Sequence, residues 1–73
     1  MLHPTLGTLI RVHRETLEMS RAELARQVGV AGSQVTRWEA GEYKPSLSAM
    51  VAIARALDIP AVELMAAAAV DVP

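Results

Sequence analysis

The sharpest constraint on this chain is the stretch from Ser20 to Ala40, where two helix-length segments follow one another with almost nothing between them. The first opens on Ser20 and Glu23, the Ser-x-x-Glu spacing of a capping box, in which each side chain satisfies a backbone donor of the other residue. Met19, just ahead of the cap, is placed to staple against Leu24. Gly29 ends the segment, because glycine most readily takes the left-handed backbone that closes a helix. Only Val30 and Ala31 precede the next helical pattern, Gly32 to Ala40, whose apolar stripe is Val35 and Trp38. Ala25 is small where the two helices must cross, and Leu24, Val28, Val30, Val35 and Trp38 fill the space between them. Two helices joined by a three- to four-residue turn containing glycine define a helix-turn-helix, here over residues 21–40.

The flanks read as helices too. Thr5 caps a first helix running to about Leu17, with Leu6, Leu9, Ile10 and Leu17 on one face. Gly41 and the loop Glu42-Tyr43-Lys44-Pro45 lead to Ser46, the cap of a fourth helix. Leu47, Met50, Ile53, Ala54 and Leu57 mark its buried side, and Asp58 suits the left-handed residue beyond it. Ile59-Pro60 opens a fifth helix at about Ala61, with Leu64 and Met65 turned inward. The expectation is an all-α, compact five-helix unit in which residues 1–73 form a single domain, with 66–73 a helical extension or a tail.

Composition removes most other function classes. The 73 residues carry no cysteine, so disulfide staples and thiolate zinc sites are excluded. His3, near the terminus, and His13, on a helix surface, are too few and too poorly placed for a metal site. The longest apolar run, Ala66 to Val70, is far too short to span a membrane, and no secretory leader opens the chain; a cytoplasmic protein is expected. Serines and histidines accounted for by caps and surfaces leave no nucleophile–base–orienter set, and no glycine-rich phosphate loop occurs, so neither an enzyme nor a cofactor is expected. The net charge is −1, yet residues 1–44 hold six of the seven basic side chains, Arg11, Arg14, Arg21, Arg26, Arg37 and Lys44, against five acidic ones. Any phosphate-facing surface belongs to that front part, and the total charge predicts modest DNA affinity for one subunit.

From Leu6 to about Met65 the chain resembles the lambda-repressor-like (Xre/Cro) helix-turn-helix family. The resemblance rests on Leu6-Gly7, Ile10-Arg11 with Arg14, Met19 to Ala25, Gly29-Val30, Val35 to Gly41, Pro45-Ser46 and Ile53 to Leu57. It implies a DNA-binding transcriptional regulator, most simply a small repressor, whose third helix enters the major groove of double-stranded DNA. The base-facing positions implied are Gly32, Ser33, Thr36 and Arg37. Arg37 is the strongest reader, since a guanidinium bonds guanine O6 and N7 together. Phosphate-facing positions fall on Ser20, Arg21, Gln34 and Gly41, with Tyr43, Lys44 and Ser46 as additions. Arg14 and Glu39 occupy the places of a partly buried ion pair that ties the first helix to the end of the third. Three residues depart from the family pattern: Ala31 lacks a capping oxygen, Gly32 lacks a side chain, and Glu42 stands where a basic residue is common.

Several positions keep two readings. Trp38 reads as core rather than a base-stacking platform. Tyr43 either packs on the fourth helix or touches phosphate, and Ser20 is a helix cap before it is a phosphate ligand. The apolar surplus of Val62, Met65, Ala66, Ala69 and Val70 is either a frayed tail or one face of a homodimer. The family's C-terminal helix dimers imply the latter, facing a palindromic operator. The alternative function is an antitoxin or interaction module that binds a protein partner, which the weak basic surface with Gly32 and Glu42 favours.

Overall fold

A computed structural model describes residues 5–70. They form five helices: α1 (Leu6–Thr16), α2 (Arg21–Val28), α3 (Gly32–Glu39), α4 (Leu47–Leu57) and α5 (Ala61–Val70). His3 and positions 71–73 of the expected extension lie outside the described residues.

The helix starts follow from local chemistry. The side-chain oxygens of Thr5, Ser20 and Ser46 accept from the backbone N–H groups of Thr8, Glu23 and Ala49, three residues on in each case. This satisfies one of the orphan donors of a first turn. Ala31 offers no such bond, and α3 begins without a side-chain cap. The capping box of α2 is only half made. Glu23 turns its carboxylate forward onto Arg26 and Gln27 instead of back to Ser20; a cation in the next turn outbids a neutral N–H.

The helix ends share one device. Gly29 (φ 88°), Gly41 (φ 79°), Glu18 (φ 54°) and Asp58 (φ 56°) all take the left-handed conformation. Each is followed by an N–H that reaches back six residues inclusively: Met19 to Arg14, Val30 to Ala25, Glu42 to Arg37 and Ile59 to Ala54. That bond is the mark of a Schellman closure. Glu18 lacked any sequence signal, since glutamate rarely adopts this backbone.

All five helices contribute to one core of Leu6, Ile10, Leu24, Ala25, Val35, Trp38, Ile53, Ala54, Leu57, Leu64 and Ala67. Two expectations for buried faces are corrected. Leu17 is half-exposed, because α1 stops at Thr16 and the chain has already turned off the helical register at the cap. Leu47 is 61% exposed: at about 100° per residue it lies roughly 70° from the middle of the Met50, Ile53, Ala54, Leu57 stripe. Met65 is half-buried, and Leu64 alone of that pair is sealed.

α2 packs most extensively on α3, and α1 lies across the end of α3. Gly7 marks the closest approach. A Cβ built there would sit 2.6 Å from the carbonyl oxygens of both Trp38 and Glu39. The first turn of α1 therefore rests directly on the backbone of the last turn of α3, which sets where α3 points.

Candidate nucleic-acid interface

α3 presents an edge away from the core. Val35 and Trp38 are buried on its inner side, while Ser33, Thr36 and Arg37 are exposed. Thr36 donates its hydroxyl to the carbonyl of Gly32 at 3.3 Å. Gly32 faces open space, since an added Cβ would meet nothing within 4 Å. The four expected base-facing residues therefore belong to the first two turns of one short helix, and none is needed by the core. Gln34 is half-buried beside the turn, its N–H bonded to the carbonyl of Ala31.

The orientation of this edge depends on the carboxylate of Glu39. Arg14 grips it with two bonds, Nε to Oε2 at 2.6 Å and Nη2 to Oε1 at 3.2 Å, and uses Nη1 on the carbonyl of Met19 at 2.7 Å. The side chains of Arg14 and Glu39 are only 9% and 3% exposed, and with Glu39 half-buried as a residue the pair is partly buried, as the resemblance implies. A third member was not foreseen: Nε of Arg21 reaches Oε1 of Glu39 at 3.0 Å from the first turn of α2. Burial alone would push the Glu39 carboxyl up. The hydrogen bonds from Arg14 and Arg21 and the two positive charges outweigh it and hold the group below the usual carboxylate range. One carboxylate thus fastens α1, α2 and the end of α3 together. The expected ion pair is present, and Arg21, expected to touch phosphate, is anchored by Nε while half of its side chain stays exposed.

The remaining positions expected to face phosphate are spread along the chain. Ser20 is exposed at the start of α2, its hydroxyl serving as the cap. Gly41 is exposed in its left-handed turn, and Ser46 caps α4. Lys44 directs Nζ onto the carbonyl of Ala68 at 3.0 Å, where it caps the last turn of α5; an ammonium keeps two further donors when one is engaged. Tyr43 is 55% exposed, and the Arg37 guanidinium lies 5.6 Å above its ring centroid. Of the carboxylates in the front part, Glu15 faces Arg11 and Arg14, Glu23 faces Arg26, and Glu39 faces Arg14 and Arg21. Much of the acidic charge there is already neutralised locally. Glu42 remains exposed at the start of the loop. Among the described residues no group of three or more metal-ligating side chains occurs, and no helix is long and apolar enough to cross a membrane.

Comparison with known proteins adds an independent line. The helix-turn-helix family model matches residues 10–64. An HTH-type transcriptional regulator of Methanothermobacter thermautotrophicus is 46% identical over 52 residues, covering 71% of this chain and 75% of that protein. The C2 repressor of Salmonella phage P22 is 33% identical over 52 residues, and the match spans about a quarter (24%) of its length. Among solved structures, the P22 c2 repressor in complex with a synthetic operator superposes with a TM-score of 0.81 at 29% identity, over 85% of this chain and 94% of that one. SinR, a master regulator of biofilm formation crystallised with DNA, superposes with a TM-score of 0.77 at 27% identity, over 84% and 98% of the two chains. Five helices with these caps, this crossing and this partly buried arginine–glutamate pair, together with the family match, lead to one conclusion: the chain belongs to the lambda-repressor-like (Xre) helix-turn-helix family of DNA-binding transcriptional regulators.

Proposed function

We propose that this protein is a sequence-specific repressor that reads the major groove of double-stranded DNA with α3 and acts as a homodimer on a palindromic operator. The observation that carries the reading is the outer edge of α3. Ser33, Thr36 and Arg37 are exposed on a helix whose inner side is locked to α1 and α2. The superposition on the P22 repressor, a protein solved on operator DNA, supports it. In this reading Arg37 and Ser33 meet base edges, with Thr36 and Gly32 beside them. Ser20, Arg21, Gln34, Gly41, Lys44 and Ser46 border the phosphates, and Tyr43 lies beside Arg37. The described helices share one core, which supports a single helix-turn-helix domain.

The described residues measure 31 × 21 × 20 Å, and α3 occupies one place in that volume. A single copy therefore offers one recognition helix to one major-groove segment. A two-fold pair would set the second about one DNA turn, ~34 Å, away. The apolar surface for such pairing is present on α5, where Val62 (67%) and Val70 (52%) are exposed and Ala66 and Ala69 are exposed with them. Pairing also doubles the phosphate contacts of a subunit whose net charge is −1.

Selection from a random duplex library, with sedimentation at micromolar concentration, tests both parts. The expected result is an enriched palindrome with half-sites about 10 base pairs apart and a dimeric parent. Val62→Glu combined with Met65→Glu should give a folded monomer with weakened binding. A library without enrichment would remove the DNA reading and favour a protein partner. A monomeric parent that binds its selected site tightly would remove the dimer.

A further inference from the structure

Tyr43 is the one exposed aromatic side chain among the described residues, and neither packing nor capping accounts for it: more than half of it is open to solvent. The loop that carries it is tied down at both ends. It leaves α3 through the Schellman closure at Gly41, with Gly41 N–H on Trp38 O at 3.2 Å and Glu42 N–H on Arg37 O at 3.0 Å. On the far side, Lys44 is tied to Ala68 of α5, and Pro45 is buried. The ring is thus returned beside the helix it follows. There it lies under the Arg37 guanidinium, within the ~6 Å over which a cation is drawn to a ring face. The backbone bond to Arg37 O and the ring contact come from the same short loop, so the side chain and the main chain of Arg37 are held by one element.

We infer that Tyr43 is a positioning residue for base reading: its ring holds the Arg37 guanidinium over one edge of α3 and so sharpens the discrimination that Arg37 exerts. The inference rests on the reading of Arg37 as a base contact. An unrestrained arginine loses several side-chain rotamers when it forms a bidentate bond to guanine. A guanidinium already held over a ring gives up fewer of them, and a planar cation above an aromatic face still has N–H groups free to reach a base. The competing use of Tyr43 is a hydroxyl bond to phosphate, which would raise affinity on every sequence alike. The two uses involve different atoms of the side chain, which makes them separable.

The experiment measures binding of the full chain to its selected site, to variants of that site at each position, and to random duplex. Arg37→Ala first identifies the base pair it reads. Tyr43→Leu should then relax preference at that same base pair by about two- to fivefold, the range of an exposed cation–ring contact, and leave random-duplex affinity unchanged. Tyr43→Phe should behave as the parent, and Tyr43→Leu should add nothing in an Arg37→Ala background. In the free protein, the Arg37 δ-methylene protons should show a ring-current shift that Tyr43→Phe keeps and Tyr43→Leu loses. Two results overturn the inference and leave Arg37 as a reader: undiminished discrimination in Tyr43→Leu, or an even loss on all duplexes in Tyr43→Phe, which would make the hydroxyl a phosphate contact. If Arg37→Ala relaxes no position, the base-reading assignment falls and the positioning role falls with it.

Discussion

Glu39→Gln is expected to destabilise the fold by about 3–5 kcal/mol, the cost of leaving a buried charge without its partner. The carboxylate is 3% exposed and receives three bonds from two arginines. Glutamine keeps the shape and one acceptor, but it leaves the Arg14 guanidinium, itself almost sealed, with only the exposed Glu15 carboxylate at 3.9 Å as a counter-charge. Small domains have total stabilities toward the low end of about 5–15 kcal/mol, so the loss should lower the thermal midpoint by well over 10 °C. A variant melting within about 2 °C of the parent would show that the pair contributes little. The same group sets a pH dependence. Its folded pKa lies below its unfolded value, so the stability it provides is complete above the ordinary glutamate value near 4.3. That stability is lost as pH falls through the lower, folded value. Denaturant midpoints of the parent should therefore decline on acidification below about pH 4. The decline should be shallower in Glu39→Gln, and what remains belongs to other carboxylates, Glu23 among them.

Gly7→Ala is expected to destabilise by about 1–3 kcal/mol, as overpacked contacts do, even though alanine favours a helix over glycine by about 1 kcal/mol. The atoms an added Cβ would meet at 2.6 Å are backbone carbonyl oxygens of Trp38 and Glu39, which cannot swing aside as a flexible side chain would. α1 must lift from the end of α3, and the packing of Leu6 and Ile10 and the bidentate geometry of Arg14 move with it. Gly32→Ala is the matched control, because its Cβ meets nothing within 4 Å. That variant should hold the parent's stability or exceed it by up to about 1 kcal/mol. Equal denaturant midpoints for the two alanine variants would contradict the close approach of α1 and α3.

What was legible in the sequence is what acts locally. A cap is a bond between residues three apart, so Thr5, Ser20 and Ser46 could be found by spacing, and Gly29, Gly41 and Asp58 by their tolerance of a left-handed backbone. Glu18 takes the same backbone without the residue type that announces it. Bonds across the fold left no such trace. Arg14 and Glu39 are 25 positions apart and were paired through family resemblance alone, and nothing suggested that Arg21 would join them. Charged side chains were assigned to phosphate by their place in the pattern. The fold engages two of them at home, Arg21 on Glu39 and Lys44 on the end of α5. Gly7 was visible as part of a motif, but its reason is steric and belongs to α3, some thirty residues further along. Leu17 and Leu47 were misplaced for a simpler cause. A periodic stripe continues past the point where the helix, or its contact with the core, has ended.

In the proposed mode of binding, α3 reads sequence and the surrounding basic groups supply general affinity. Equilibrium binding of Arg37→Ala and Arg21→Ala to the selected site and to random duplex, at several salt concentrations, separates the two roles. Arg37→Ala should lose about 1–3 kcal/mol on the selected site, with preference relaxed at one base pair and random-duplex affinity little changed. Arg21→Ala should weaken both duplexes alike and lower the salt slope by about one contact per subunit. Unchanged affinity of Arg37→Ala on both duplexes would contradict the assignment of α3 as the reading helix.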